Sequence, residues 1–169
     1  GISATDWSWC PLFADFDNDG KKDLFISSGI VKRPVDLDYI RFISNIYNHK
    51  ALNSTDKYDD QALEKMPEGS SHPYFFKGDG HLSFNNVSSE WGTGDMSGYY
   101  TNASYADLNN DGRLDIVISA LNAPAVVLKN NSASTNAVSV SFEGNNENTK
   151  GVGTKAYLFQ NGKMQYQQL

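Results

Sequence analysis

Residues 15–23 read DFDNDGKKD, and the same pattern returns at residues 107–115 as DLNNDGRLD. Oxygen-bearing side chains stand at positions 1, 3, 5 and 9 of each copy, and glycine stands at position 6. Alternate side chains of an extended loop project to one side, so positions 1, 3 and 5 can converge on one point. Glycine adopts a positive φ at little cost, and the resulting turn can bring position 9 back to that point. These stretches, the first loop and the second loop, are therefore predicted to be compact and acidic.

The charge on these loops predicts a bound cation. Carboxylates held as close together as those of the first loop repel one another unless a positive ion lies between them. A cage of carboxylate oxygens completed by a backbone carbonyl is what the hard ion Ca²⁺ prefers. The carbonyl is expected from Lys21 in the first loop and from Arg113 in the second. The alternative is an Asx-rich hairpin without an ion, and it has more weight for the second loop, which has one carboxylate fewer.

The residues around each loop exclude a helix–loop–helix calcium site. An EF-hand has a bidentate glutamate at position 12 and a helix on each side. Position 12 is Ile26 in the first copy and Ile118 in the second. The residues after each loop are β-branched, aromatic and aliphatic, and those before it are also strand-like. Each loop is therefore predicted to join two strands.

Composition places the chain among soluble β-rich proteins. The content of nine Tyr, nine Phe and three Trp beside 14 Gly favours strands joined by many turns. The net charge of −6 argues against nucleic acid as a partner. No apolar run approaches the roughly 18–20 residues of a membrane span. The single Cys10 excludes a disulfide within the chain.

Helical signals interrupt the strand pattern in one region only. Apolar residues recur at helical spacing over residues 35–47, with Asp36 as the expected N-cap, and a second helix is predicted within residues 57–65. Both belong to a helical insertion at about residues 30–72. Strands are predicted over the segments 7–14, 23–28, 72–77, 81–87, 99–106, 115–120, 125–129, 137–143, 155–160 and 163–169.

The repeated segments resemble a known family. The sequences FADFDNDGKKDLFIS at 13–27 and YADLNNDGRLDIVIS at 105–119 are similar to FG-GAP (VCBS-type) repeats, the β-propeller blades also found in integrin α-subunits. The hairpin YFFKGDGHLSFNNVS at 74–88 resembles the outer strands of such a blade. The C-terminal stretch GNNENTKGVGTKAYLFQNGKMQYQQ at 144–168 is similar to the ASPIC and UnbV domain that follows these repeats in bacterial extracellular proteins.

The resemblance implies a mainly β fold with propeller-type blades, the small helical insertion and the start of a C-terminal β-domain. The repeat region would cover residues 1–136, and residues 137–169 would begin the ASPIC/UnbV-like domain. A propeller closes with 4 to 8 blades. Only about two blades are recognisable, so we expect the chain to be a partial propeller cut from a longer protein.

The same resemblance assigns the calcium ligands to the loop residues that match the family's motif. Asn109 keeps an oxygen at position 3 but lacks a charge, so the second site is expected to bind Ca²⁺ more weakly. The side-chain ligands implied are Asp15, Asp17, Asp19, Asp23, Asp107, Asn109, Asp111 and Asp115.

The function implied is a calcium-stabilised extracellular, cell-surface or periplasmic module that serves protein or carbohydrate binding or scaffolding and not catalysis. The ion would pin two strands together, and no Ser/His/Asp set, P-loop or basic stripe is recognisable in the sequence. An alternative is a calcium-dependent accessory part of a larger glycan-active enzyme, for which Glu90, Asp95 and Glu143 are the candidate carboxylates outside the loops. A further option is self-association through open sheet edges.

Overall fold

A computed structural model describes residues 2, 4–49, 60–133, 137–145 and 147–169. Antiparallel sheets dominate the described residues, which confirms the predicted mainly β fold class. The elements in chain order are β1 (Ser8–Ala14), β2 (Asp23–Ser28), α1 (Leu37–His49), α2 (Asp60–Lys65), β3 (Tyr74–Gly78), β4 (Phe84–Asn86), β5 (Tyr100–Ala106), β6 (Asp115–Ala120), β7 (Val126–Leu128), β8 (Lys155–Gln160) and β9 (Lys163–Gln168).

The first sheet has the strand order β1-β2-β3-β4, so each strand lies beside its neighbour in the chain. A four-stranded antiparallel meander of this kind is the arrangement of a propeller blade. All six residues of β2 are buried, as expected for an inner strand that is covered on both faces. The first loop joins β1 to β2, and the predicted strand–loop–strand arrangement is therefore confirmed.

The second sheet, β5-β6-β7, repeats the first three strands of the first sheet. Leu24 of β2 pairs with Phe76 of β3, and at the corresponding place Ile116 of β6 pairs with Leu128 of β7. The second loop joins β5 to β6, just as the first loop joins β1 to β2. The two units differ in the connection that follows, which is a short turn in the second unit and contains both helices in the first. The helices are therefore an insertion into one copy of a shared unit.

Helix α1 begins at Leu37, two residues after the predicted start, because Asp36 caps it. The Asp36 carboxylate accepts the N–H of Tyr39 at 2.9 Å, which satisfies one of the free donors of the first turn. Helix α2 lies within the predicted segment, whose residues 57–59 lie outside the described residues. No helix in the described part of the chain is long and apolar enough to cross a membrane.

The main core lies between the two sheets and includes a residue of the first loop. Phe16, at position 2 of that loop, is buried and makes edge-to-face contacts with Phe75 of β3 and Tyr105 of β5. Burying a phenylalanine side chain stabilises a fold by roughly 1.5–3 kcal/mol. The first loop is therefore anchored in the core. The buried residues of this core are Ala14, Phe16, Phe25, Phe75, Tyr100, Ile116 and Ile118.

One predicted strand is wrong. Residues 137–143 were expected to be extended and paired, but the described segment 137–145 contains no strand. Val138 and Val140 are 72% and 60% exposed, because no neighbouring strand in the described residues pairs with this segment. A strand needs backbone partners as well as an alternating sequence.

The C-terminal hairpin β8–β9 agrees with its prediction. Its turn residues Asn161 and Gly162 have φ of 50° and 73°, the two positive values that an Asn-Gly hairpin turn requires. Lys22, in the first loop, donates to the Gln167 side chain of β9 at 3.4 Å. The hairpin therefore lies against the first loop, while its assignment to an ASPIC/UnbV-like domain and the boundary at residue 136 stay predictions.

Candidate metal centre

The two loops are built on the same set of hydrogen bonds from position 1. In the first loop, the Asp15 carboxylate accepts the backbone N–H groups of Asp19 and Gly20 at 3.0 and 2.8 Å. In the second loop, Asp107 accepts the N–H groups of positions 5 and 6 at the same distances, 3.0 and 2.8 Å. The carboxylate at position 1 therefore holds the backbone of its own loop in a tight turn, with or without a bound ion.

The turn within each loop needs two residues that tolerate a positive φ. Asn18 and Asn110, at position 4, have φ of 56° and 59°, and the glycines at position 6 have φ of 86° and 82°. Asparagine is among the few non-glycine residues that enter this region readily. The shared N-D-G sequence therefore specifies the path of the backbone in both loops.

Position 9 fastens each loop to the chain at or just after the end of the third strand of its unit. The Asp23 side chain is fully buried, and its two oxygens accept the N–H groups of Phe16 and Gly78 at 3.0 Å each. Asp115 accepts the N–H groups of Leu108 and Asn130 at 3.2 and 2.8 Å. These bonds give position 9 a structural role that the sequence did not reveal. The assignment of Asp23 and Asp115 as calcium ligands stays a prediction.

Three carboxylates of the first loop converge as predicted. One oxygen from each of Asp15, Asp17 and Asp19 lies within 4.8 Å of the others. The Oδ1 atom of Asp17 is buried and has no hydrogen-bond partner among the described residues. A buried acceptor without a partner is costly, and a hard divalent cation is an ion that such an oxygen would bind. The residues present therefore fit a calcium ion.

A lysine from β3 reaches into this group of carboxylates. The Lys77 ammonium donates to Oδ2 of Asp17 and lies 3.1 Å from Oδ2 of Asp19. Hydrogen bonding to Asp17, reinforced by Asp19, raises the pKa of Lys77 above its ordinary value. Burial would raise the pKa of Asp19, but the hydrogen bonds from Lys77 and the Lys21 N–H outweigh it and lower that pKa.

Sequence reasoning missed Lys77, although a weak signal for it exists. A lysine follows the corresponding residue of the third strand in each unit: Lys77 follows Phe76 of β3, and Lys129 follows Leu128 of β7. A lysine repeated at one register position beside an acidic loop indicates a place from which a cation can reach that loop.

The second loop is neutralised from within. The Arg113 guanidinium lies 2.6 Å from Oδ2 of Asp111, and its Nε donates to the carbonyl of Asn130 at 3.2 Å. Asn109 donates to the same Asp111 oxygen at 2.9 Å. Burial would raise the pKa of Asp111, but the hydrogen bonds from Asn109 and Arg113 outweigh it and lower that pKa. The corresponding residue of the first loop, Lys21, lies farther from its aspartate, at 3.7 Å.

Two carboxylates of the first loop have raised pKa values, chiefly because they are buried. Burial raises the pKa of Asp23 to about 6, although the N–H groups of Gly78 and Phe16 act against it, and the charges of Asp17 and Asp15 raise it further. Burial also raises the pKa of Asp15. Both shifts indicate carboxylates whose charge is poorly compensated, and a divalent cation would compensate it.

The two loops lie side by side. Asn18 of the first loop donates to the carbonyl of Gly112 in the second at 3.1 Å. Asn130, which follows β7, donates through its side chain to the carbonyl of Phe16 at 2.6 Å. Charge at one loop is therefore placed to influence the other.

The three carboxylates considered for an enzymatic role do not line one cavity together. Glu90 is exposed and lines a cavity of about 450 Å³ between the two sheets, together with Trp91 and Asp17. Asp95 and Glu143 are exposed and do not line that cavity.

The comparison with protein families identifies part of this architecture. Residues 56–118 match the model of the FG-GAP-like repeat, a segment that includes β3, β4, β5, the second loop and the first four residues of β6. The first loop lies outside the matched segment, and its likeness to the second rests on the shared sequence pattern and hydrogen bonds. No curated protein and no solved structure matches the chain.

Proposed function

We propose that this chain is a calcium-stabilised β-repeat module that works outside the cytoplasm and serves binding or scaffolding, not catalysis. The convergence of Asp15, Asp17 and Asp19 around a buried oxygen without a partner carries the proposal. The match of residues 56–118 to an FG-GAP-like repeat supports it, since such repeats are typical of extracellular and cell-surface proteins.

The carboxylates at positions 1, 3 and 5 would hold the ion in the first loop, and Asp107, Asn109 and Asp111 would hold it in the second. Backbone carbonyls of Lys21 and Arg113 and the carboxylates of position 9 would complete the two sets. A bound calcium ion supplies a fixed divalent charge that offsets repulsion among the carboxylates and ties the ends of two strands together. Loops of this kind are suited to the millimolar calcium outside cells.

A structural role fits the loops better than catalysis. The carboxylates of Asp15 and Asp23 each accept two backbone N–H groups, so both are part of the hydrogen-bonded frame of the loop. Partners of the module would be a protein or a carbohydrate, neither of which is identified.

Thermal unfolding with and without calcium tests the proposal. At a calcium concentration about 100 times the dissociation constant, one bound ion adds about 2.7 kcal/mol to the free energy of unfolding. For a chain of this length that corresponds to an increase in Tm of about 5–10 °C in calcium over EDTA. Equal melting temperatures in calcium and in EDTA would show that calcium does not stabilise the fold.

Matched variants make the test specific to the loops. The double variant Asp17→Asn/Asp111→Asn removes a carboxylate from each loop and should lose about half of the increase in Tm, the loss that tenfold weaker binding produces. Asp79→Asn removes one carboxylate from the β3–β4 turn, where Asp79 accepts the N–H groups of His81 and Ser83, and should keep the full increase in Tm. A similar loss in all the variants would mean that net charge, and not the loops, controls the response.

A further inference from the structure

We propose that Lys77 is an internal counter-ion of the first loop that competes with the divalent cation for Asp17 and Asp19. This inference rests on the calcium role proposed above. It adds a residue that sets the affinity of the first site and keeps that loop folded when calcium is scarce.

The contacts of Lys77 place its charge among the oxygens that calcium would use. Its ammonium group contacts Oδ2 of Asp17 and lies 3.1 Å from Oδ2 of Asp19, and both aspartates belong to the converging group. These oxygens cannot bind the ammonium group and a calcium ion closely at the same time, because the two cations would repel each other at that separation. Calcium binding at the first loop therefore requires the ammonium group to withdraw.

The surroundings of Lys77 allow this withdrawal. Its backbone is fixed, because the N–H of the next residue, Gly78, donates to the buried Asp23. Its side chain is 37% exposed, and its flexible four-carbon stem can turn the ammonium group to solvent without moving β3. The aspartate side chains are less exposed, at 20% and 26%, so water screens their charges less.

The second unit lacks this device, although it has a lysine at the same place. Lys129 follows Leu128 of β7 as Lys77 follows Phe76 of β3, and the Lys129 side chain is exposed. The second loop has the uncharged Asn109 at position 3, and its Asp111 is paired with Arg113. The counter-ion is therefore attracted by the extra carboxylate at position 3 of the first loop, and not by the fold alone.

Calcium titration calorimetry of wild type, Lys77→Met and Lys129→Met tests the inference. Methionine keeps an unbranched side chain and removes the charge. The first site of Lys77→Met should bind calcium about tenfold more tightly than that of wild type, and Lys129→Met should bind as wild type does. In EDTA, Lys77→Met should melt below both other proteins, because its carboxylates have lost their counter-ion. Lys77→Arg keeps the charge and should retain the affinity of wild type.

The outcomes separate the two proposals. Equal calcium affinity of wild type and Lys77→Met, or weaker binding by Lys77→Met, would overturn the counter-ion role and leave the calcium role intact. No binding by any variant would overturn both. If Lys77→Met folds only with calcium present, the counter-ion role is supported, and Lys77→Gln then supplies a second neutral side chain for the titration.

Discussion

The two acidic loops share one backbone and differ in how their charge is balanced. In each, position 1 accepts the N–H groups of positions 5 and 6, and position 9 accepts an N–H group at or just after the end of the third strand. In the first loop three carboxylates converge and a lysine from another strand approaches them. In the second loop one carboxylate is replaced by Asn109, and Arg113 of the loop itself supplies the positive charge.

This difference separates the residues that determine the backbone path of the loop from those that determine its charge balance. Positions 1, 4, 6 and 9 are the same in both copies and make the turn and its anchoring bonds. Position 3 differs in charge, and position 7 differs in how closely its cation approaches the aspartate at position 5. These two positions decide which cation neutralises the carboxylates of each loop. Substitutions at positions 1, 4, 6 and 9 should therefore change stability in both loops, and substitutions at positions 3 and 7 should change how the charge of one loop is balanced.

The largest effect is expected at position 9, in EDTA. Asp23→Ala should lower the free energy of unfolding by about 4 kcal/mol, because two buried N–H groups lose their acceptor. Asp115→Ala should cost about 2 kcal/mol, since the bonds it loses are only partly buried. Urea unfolding of both variants measures the difference.

Asp23→Asn is the matched control for the first of these substitutions. It keeps one acceptor and removes a charge whose burial is unfavourable, as the raised pKa of Asp23, about 6, indicates. It should therefore cost less than Asp23→Ala. If Asp115→Ala proves as costly as Asp23→Ala, the two anchors are equivalent and the difference in burial between them has no energetic consequence.

Exchanging position 3 should produce the next largest effect, this time on calcium affinity. Asp17→Asn gives the first loop the oxygen set of the second and should weaken calcium binding there about tenfold, because carboxylate count tunes such sites. Asn109→Asp should strengthen binding at the second loop by a similar factor. Calorimetric titration of each variant, and of both changes together, measures these shifts.

The double variant Asp17→Asn/Asn109→Asp is the most informative protein in that series. In it the second loop should bind calcium more tightly than the first, apart from the contributions of Lys77 and Arg113. Unchanged affinities in the single variants would mean that position 3 does not contact the ion, and that the likeness of the two sites is confined to their backbone.

The shape of both loops could be predicted because it depends on short-range chemistry. Asp15 bonds to residues four and five positions on, and Asn18 and Gly20 adopt the backbone conformations that their side chains favour. Flanking strands follow from the β-branched and aromatic residues on either side. All of this information lies within one short segment of chain.

The features that sequence reasoning missed depend on contacts between distant segments. Lys77 meets Asp17 only because the register of β2 and β3 places it there, across the helical insertion. The same register brings Gly78 to Asp23. The segment 137–143 shows the converse, since Val138 and Val140 alternate as in a strand but no described strand pairs with them. An alternating sequence predicts a tendency to form a strand, whereas pairing with a neighbouring strand decides whether the strand forms.

The smallest effect is expected at position 7, where the two loops have different cations. Arg113→Met should lower the free energy of unfolding by about 1 kcal/mol in EDTA, because a close ion pair with Asp111 and the bond from Nε to Asn130 are lost. Lys21→Met should leave stability nearly unchanged, since its pair with Asp19 is long and exposed. Urea unfolding at low and high salt measures both, and salt should narrow the gap between the variants because it screens the pair at Asp111. A larger loss for Lys21→Met than for Arg113→Met would mean that the first loop depends on its own lysine as well as on Lys77, and that the two loops are neutralised alike.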